Sequence, residues 1–85
     1  MYEVRDTADA RAQLNALPVV VRARVLAVYE RLVDWPAVSG AKPLRKELRG
    51  GYRVRTGDYR ILFTVDPRSE RITVFRIANR RDVYQ

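Results

Sequence analysis

Two hydrophobic periods divide this chain. In the first part apolar residues recur at helical spacing: Ala10, Leu14 and Leu17 stand at i, i+4, i+7, and Val21, Val25, Val28 and Leu32 keep a 3/4 rhythm that Leu26, Tyr29 and Val33 widen. Asp6 or Thr7 supplies an N-cap for a helix over 8–17. Pro18 ends it and suits the first turn of a second helix over 19–34, which Trp35-Pro36 closes. Beyond that point the period changes to two. Residues 44–48 read as a strand, 52–56 alternate small or apolar residues with arginines, 59–65 are dense in β-branched and aromatic residues, and 71–77 alternate again. Tyr2-Glu3-Val4-Arg5 is a short candidate strand ahead of the helices.

Gly57-Asp58 is a glycine-first pair suited to a two-residue II′ turn. Stepping outward from it sets Thr56 opposite Tyr59, Arg55 opposite Arg60, Val54 opposite Ile61, Arg53 opposite Leu62 and Tyr52 opposite Phe63. One face of this hairpin then carries Tyr52, Val54, Ile61 and Phe63, and the other gathers Arg53, Arg55 and Arg60. Helices first and hairpins after predict a single α+β domain over 1–85, a helical hairpin packed on one face of a small antiparallel sheet. The arginine face is left open.

Composition sharpens what that face can meet. Lys and Arg number 17 against 10 Asp and Glu, a net charge of +7 on 85 residues, which calls for an anionic partner. Cations in the strand-rich half, with no apolar run of spanning length and no signal-peptide pattern in Met1–Asp6, argue against a membrane and for a cytoplasmic location. The chain has no cysteine and no histidine, which removes disulfides, thiolate nucleophiles and the commonest metal ligand and general base. No metal and no cofactor are expected. Arginines directly opposed across a ladder oppose folding; the cluster reads either as solvated guanidiniums that splay apart or, as preferred here, as a phosphate-binding surface whose planar forks reach phosphate oxygens from several sides. Arg22, Arg24 and Arg31 read as a solvated helix face, and Trp35 as packing on the core edge.

The succession LRGGYRVRTGDYRILFTV, an Asp-Pro turn and ITVFRIANRRDVY resembles the RelE/ParE superfamily of type II toxin–antitoxin toxins, and within it the RelE branch. The resemblance covers nearly the whole chain and is most specific in GDYRILF and RRDVY. It implies a RelE-like toxin that enters the A site of the 70S ribosome and cuts mRNA without metal, the ribose 2′-hydroxyl attacking the adjacent phosphate. Residue by residue it implies catalytic roles for Arg60, Arg80 and Tyr84, and substrate binding by Arg53, Arg55, Arg81 and Asn79. It also implies a cognate antitoxin with an acidic, amphipathic segment. This sequence departs from the family pattern at Asn79, where many relatives carry histidine, and at Arg53 and Arg55, where some carry lysine. Two alternatives stand beside this reading: a ParE-like toxin that binds DNA gyrase, and a catalytically weak RNA- or ribosome-binding module.

Overall fold

A computed structural model of the chain describes residues 1–81. It shows β1 (Glu3–Asp6), α1 (Ala8–Asn15), α2 (Val19–Leu32), β2 (Lys42–Pro43), a 3-10 turn (Lys46–Leu48), β3 (Gly51–Thr56), β4 (Tyr59–Asp66) and β5 (Arg71–Asn79). The five strands form one sheet in the order β1-β5-β4-β3-β2. β2 through β5 pair antiparallel, whereas β1 runs parallel to β5, so the sheet is mixed and not wholly antiparallel as the hairpin pattern predicts. The parallel edge arises because the chain leaves β1 through both helices and returns at the other side of the sheet.

Thr7 caps α1, its hydroxyl accepting a hydrogen bond from the Ala10 backbone N–H at 3.1 Å. Arg22 closes the other end, its guanidinium donating to the carbonyls of Leu17 at 3.0 Å and Asn15 at 3.4 Å. Both helices lie on one face, α1 over β5 and α2 over β3. The core between them joins Ala10, Leu14, Val25, Val28 and Leu32 to Val54, Ile61, Phe63, Ile72, Val74 and Ile77. Leu26 is not part of the buried stripe of α2; it is 39% exposed and lies outward with Val19 and Val20. Trp35 packs edge-on against Tyr52 and Phe63, with ring centroids 4.7 and 5.5 Å away, as its core-edge reading predicts.

The expected strand over 44–48 does not form. On that edge only Lys42 and Pro43 form a strand, with one isolated bridge between Arg49 and Gly51, and Lys46 adopts φ 57, where no strand residue sits. The chain tightens there so that Leu44 reaches Gly51: the Leu44 N–H donates to the Gly51 carbonyl at 2.9 Å. A β-carbon at Gly51 would stand 3.1 Å from a Leu44 methyl and 3.1 Å from the Phe63 carbonyl oxygen.

Pairing of β3 with β4 follows the predicted register at every position, and Gly57 takes φ 60 while Asp58 does not take a positive φ, as a II′ turn needs. β5 holds one irregularity. Leu62 pairs with Arg76 but Phe63 with Val74, so Phe75 is an extra residue in the ladder. Strict alternation from Ile72 and Val74 would turn Arg76 towards the core; after this bulge Ile77 takes that place.

Phe63 has no exposed surface and sits under both Trp35 and Tyr52. Phe63→Ala is expected to cost about 3–5 kcal/mol through lost burial and a cavity. Urea unfolding monitored by Trp35 fluorescence checks this as a fall in midpoint.

Candidate nucleic-acid interface

The face of the sheet away from the helices is built in rows set by register. Lys42, Arg53, Leu62 and Arg76 form one row across β2, β3, β4 and β5, and Arg55, Arg60 and Ala78 form the next. Leu62 and Ala78 are buried at 2% and 7% exposure yet lie outside the core cluster, as expected of small apolar floors between long arginine stems. Arg53, Arg55 and Arg60 share this face, and none of them has an acidic partner among the described residues.

Arg80 joins them from beyond the end of β5. Its backbone N–H donates to the Asp58 carbonyl at 2.6 Å, extending the ladder by one residue past the Tyr59–Asn79 pair. That continuation places Arg80 two residues beyond Ala78 on the same side, diagonal to Arg60. Its guanidinium lies 3.9 Å from the exposed Asp58 carboxylate.

Arg60 is the centre of the group. Its pKa is held below the usual guanidinium range, first by loss of water contact and then by Arg55, Arg53 and Arg80, in that order. Its Nε is buried with no hydrogen-bond partner among the described residues. A charged donor short of water, surrounded by three like charges, offers an anion what its own molecule does not supply.

The other candidates fall differently. Asn79 stands at the edge of an open groove of about 440 Å³ lined with Gln13, Leu17, Tyr59 and Ile77, and its side-chain carbonyl accepts from the Arg81 backbone N–H at 3.1 Å. Arg81 is exposed and is not among the cations that depress Arg60. Tyr84 lies outside the described residues. Sequence reasoning did not find Leu62 as the floor of the patch, nor the bulge at Phe75; the adjacent apolar pair Val74-Phe75, which breaks the alternation, was the available signal.

Over this architecture of two helices on a five-stranded sheet, the family model that matches the chain places it among the toxins of the RelE/ParE superfamily. The chain belongs to the ParE toxin family of type II toxin–antitoxin systems, whose model matches residues 4–84. It is similar to toxin RelG of Mycobacterium tuberculosis, 33% identical over 84 residues that cover 99% of this chain and 97% of RelG. Toxin RelE of the same organism is 35% identical over 85 residues, covering 99% of this chain and 87% of RelE. The crystal structure of the toxin–antitoxin complex RelBE2 of M. tuberculosis matches 95% of this chain and 93% of its own with a TM-score of 0.82 at 33% identity.

Arg55 directly opposes Arg60 and is exposed, so its removal relieves repulsion at little packing cost. Arg55→Gln is expected to raise stability by a few tenths to about 1 kcal/mol at low salt, with the gain shrinking as salt screens the pair. Urea titrations at low and high ionic strength check both statements.

Proposed function

We propose that this type II toxin is a ribosome-dependent mRNA endonuclease that works without a metal. The observation that carries the reading is the convergence of Arg53, Arg55 and Arg80 on Arg60, a buried-edge guanidinium with an unused donor. In the proposed reaction the 2′-oxygen of a ribose bonds to the adjacent phosphorus as the P–O5′ bond breaks. The products are a 2′,3′-cyclic phosphate and a free 5′-hydroxyl; the 2′-hydroxyl proton leaves to a base and the departing 5′-oxygen takes one up. Arg60 and Arg80 stabilise the charge that builds on the phosphoryl oxygens, the contribution that usually dominates such catalysis. Arg53 and Arg55 hold the backbone, and Tyr84 moves a proton. RNA supplies the nucleophile through its 2′-hydroxyl, which DNA lacks.

The second reading, a gyrase-binding toxin, is favoured by the family model, which describes the ParE toxin of parDE systems. RelE and RelG, matched along nearly their whole lengths, support the first. In cells the two part cleanly, since cleaved translated mRNA belongs to one and induction of the DNA-damage response to the other.

Restraint of the toxin falls to an antitoxin with an acidic, amphipathic segment. RelBE2 is itself a toxin–antitoxin complex. On this chain Val19 and Val20 are 73% and 64% exposed and lead into Leu26, an outward apolar strip on α2 that an amphipathic segment would cover.

Arg60→Ala is expected to lower the cleavage rate on programmed ribosomes about 10²–10³-fold and to abolish growth arrest while the fold persists. Primer extension on translated mRNA reads this, with Tyr84→Phe alongside. Undiminished cleavage by the Arg60 variant would reject the assigned site.

A further inference from the structure

Three arginines of α2 were expected to form a solvated helix face, and the structure separates them. Arg22 is committed to the carbonyls that end α1, and Arg31 donates to the Ser39 carbonyl at 2.7 Å. Arg24 is exposed and makes no hydrogen bond or ion pair among the described residues. Its guanidinium lies against the tip of the β3–β4 hairpin: a β-carbon built at Gly57 would meet Arg24 Nη1 at 3.7 Å and no other neighbour within 4 Å.

This contact joins two sides of the sheet. α2 packs over β3 from the core side, so Arg24 approaches the turn from the side opposite to Arg55 and Arg60. The turn is only two residues wide. Arg24 stands at Gly57 and Arg80 is bonded to Asp58, so the tip is flanked by a guanidinium on each side. Gly57, without a side chain, lets the Arg24 guanidinium come close to the backbone of the turn.

We propose that the RNA track continues from the arginine face over the Gly57–Asp58 turn, and that Arg24 holds a backbone phosphate on the far side, outside the reacting group. This rests on the RNA-binding reading above and adds to it a second contact region on α2. Arg24 is a binding residue in this account and takes no part in bond cleavage.

The test is the salt dependence of binding to a fluorescently labelled single-stranded oligouridylate, followed by anisotropy with the full chain. Each phosphate contact on a single strand contributes about 0.7 to the slope of log K against log salt concentration. Arg24→Gln is expected to reduce that slope by about 0.7, Arg24→Lys to restore it, and Arg60→Gln to reduce it likewise. Arg68→Gln removes the same charge at the turn between β4 and β5, the opposite end of the sheet, and is expected to leave the slope unchanged. If Arg24→Gln behaves like Arg68→Gln while Arg60→Gln lowers the slope, the extension over the tip is wrong and the face reading survives. If Arg60→Gln also has no effect, the face reading fails and takes the extension with it. An unchanged RNA slope with lost affinity for a polyglutamate peptide would assign Arg24 to an acidic protein partner and overturn the proposal.

Discussion

The candidate site depends on one extra residue in β5. Side chains alternate along a strand, so a sequence that buries Ile72 and Val74 would, uninterrupted, turn Arg76, Ala78 and Arg80 towards the helices. A guanidinium driven into that apolar layer without a partner would cost several kcal/mol, on the order of the penalty for an uncompensated buried charge. The bulge at Phe75 reverses the parity: Ile77 takes the core position, Arg76 and Ala78 move to the outer face, and Arg80 follows them. Arg80 reaches Arg60 because the ladder slips by one residue more than 10 Å upstream of it, at about 3.3 Å of strand per residue.

The second constraint is electrostatic and acts against the fold. Arg55 and Arg60 are directly paired, Arg53 and Arg80 lie close enough to depress the Arg60 pKa, and these arginines have among the described residues only one acidic neighbour, the exposed Asp58 beside Arg80. Along β1 the molecule pairs its charges: Asp6 accepts from Tyr29 at 2.9 Å and stands 3.0 Å from Arg11, and Glu3 is shared by Arg5 and Arg71, which together hold its carboxyl below the usual range. The contrast is local. A chain that neutralises charge along β1 and concentrates it unneutralised on β3 and β4 keeps the repulsion where an anion relieves it.

Much of this was legible in the residues because the hairpin is governed by local rules. A glycine-first turn fixes register, register fixes faces, and the apolar set Val54, Ile61 and Phe63 admits one orientation only; the observed pairing follows at each step. What local rules could not give is long-range. The parallel pairing of β1 with β5 joins residues nearly seventy positions apart, and β1 has only four residues with which to announce it. The strand expected over 44–48 lost to close packing of Leu44 on Gly51, a tertiary contact without a periodic signature. Leu26 fits the helical stripe by spacing but falls on its exposed outer margin. Arg24 is separated from Arg22 and Arg31 only by what each of them reaches, which helical periodicity does not encode.

The chemistry of the face follows from what arginine does and does not do. Even with its pKa lowered by dry surroundings and like charge, the Arg60 guanidinium remains protonated at neutral pH, so it offers fixed positive charge and forked donors but no proton exchange. Asn79, held by the Arg81 backbone N–H, offers an amide that likewise exchanges no proton. A site built this way supplies electrostatic stabilisation and positioning, and it suits a reaction whose nucleophile is already part of the substrate. RNA meets that condition through the 2′-hydroxyl beside every phosphate. On the proposed reading, the absence of histidine and cysteine from the chain is then compatible with catalysis, because the protein need only hold the phosphodiester in line and receive the charge that develops on it.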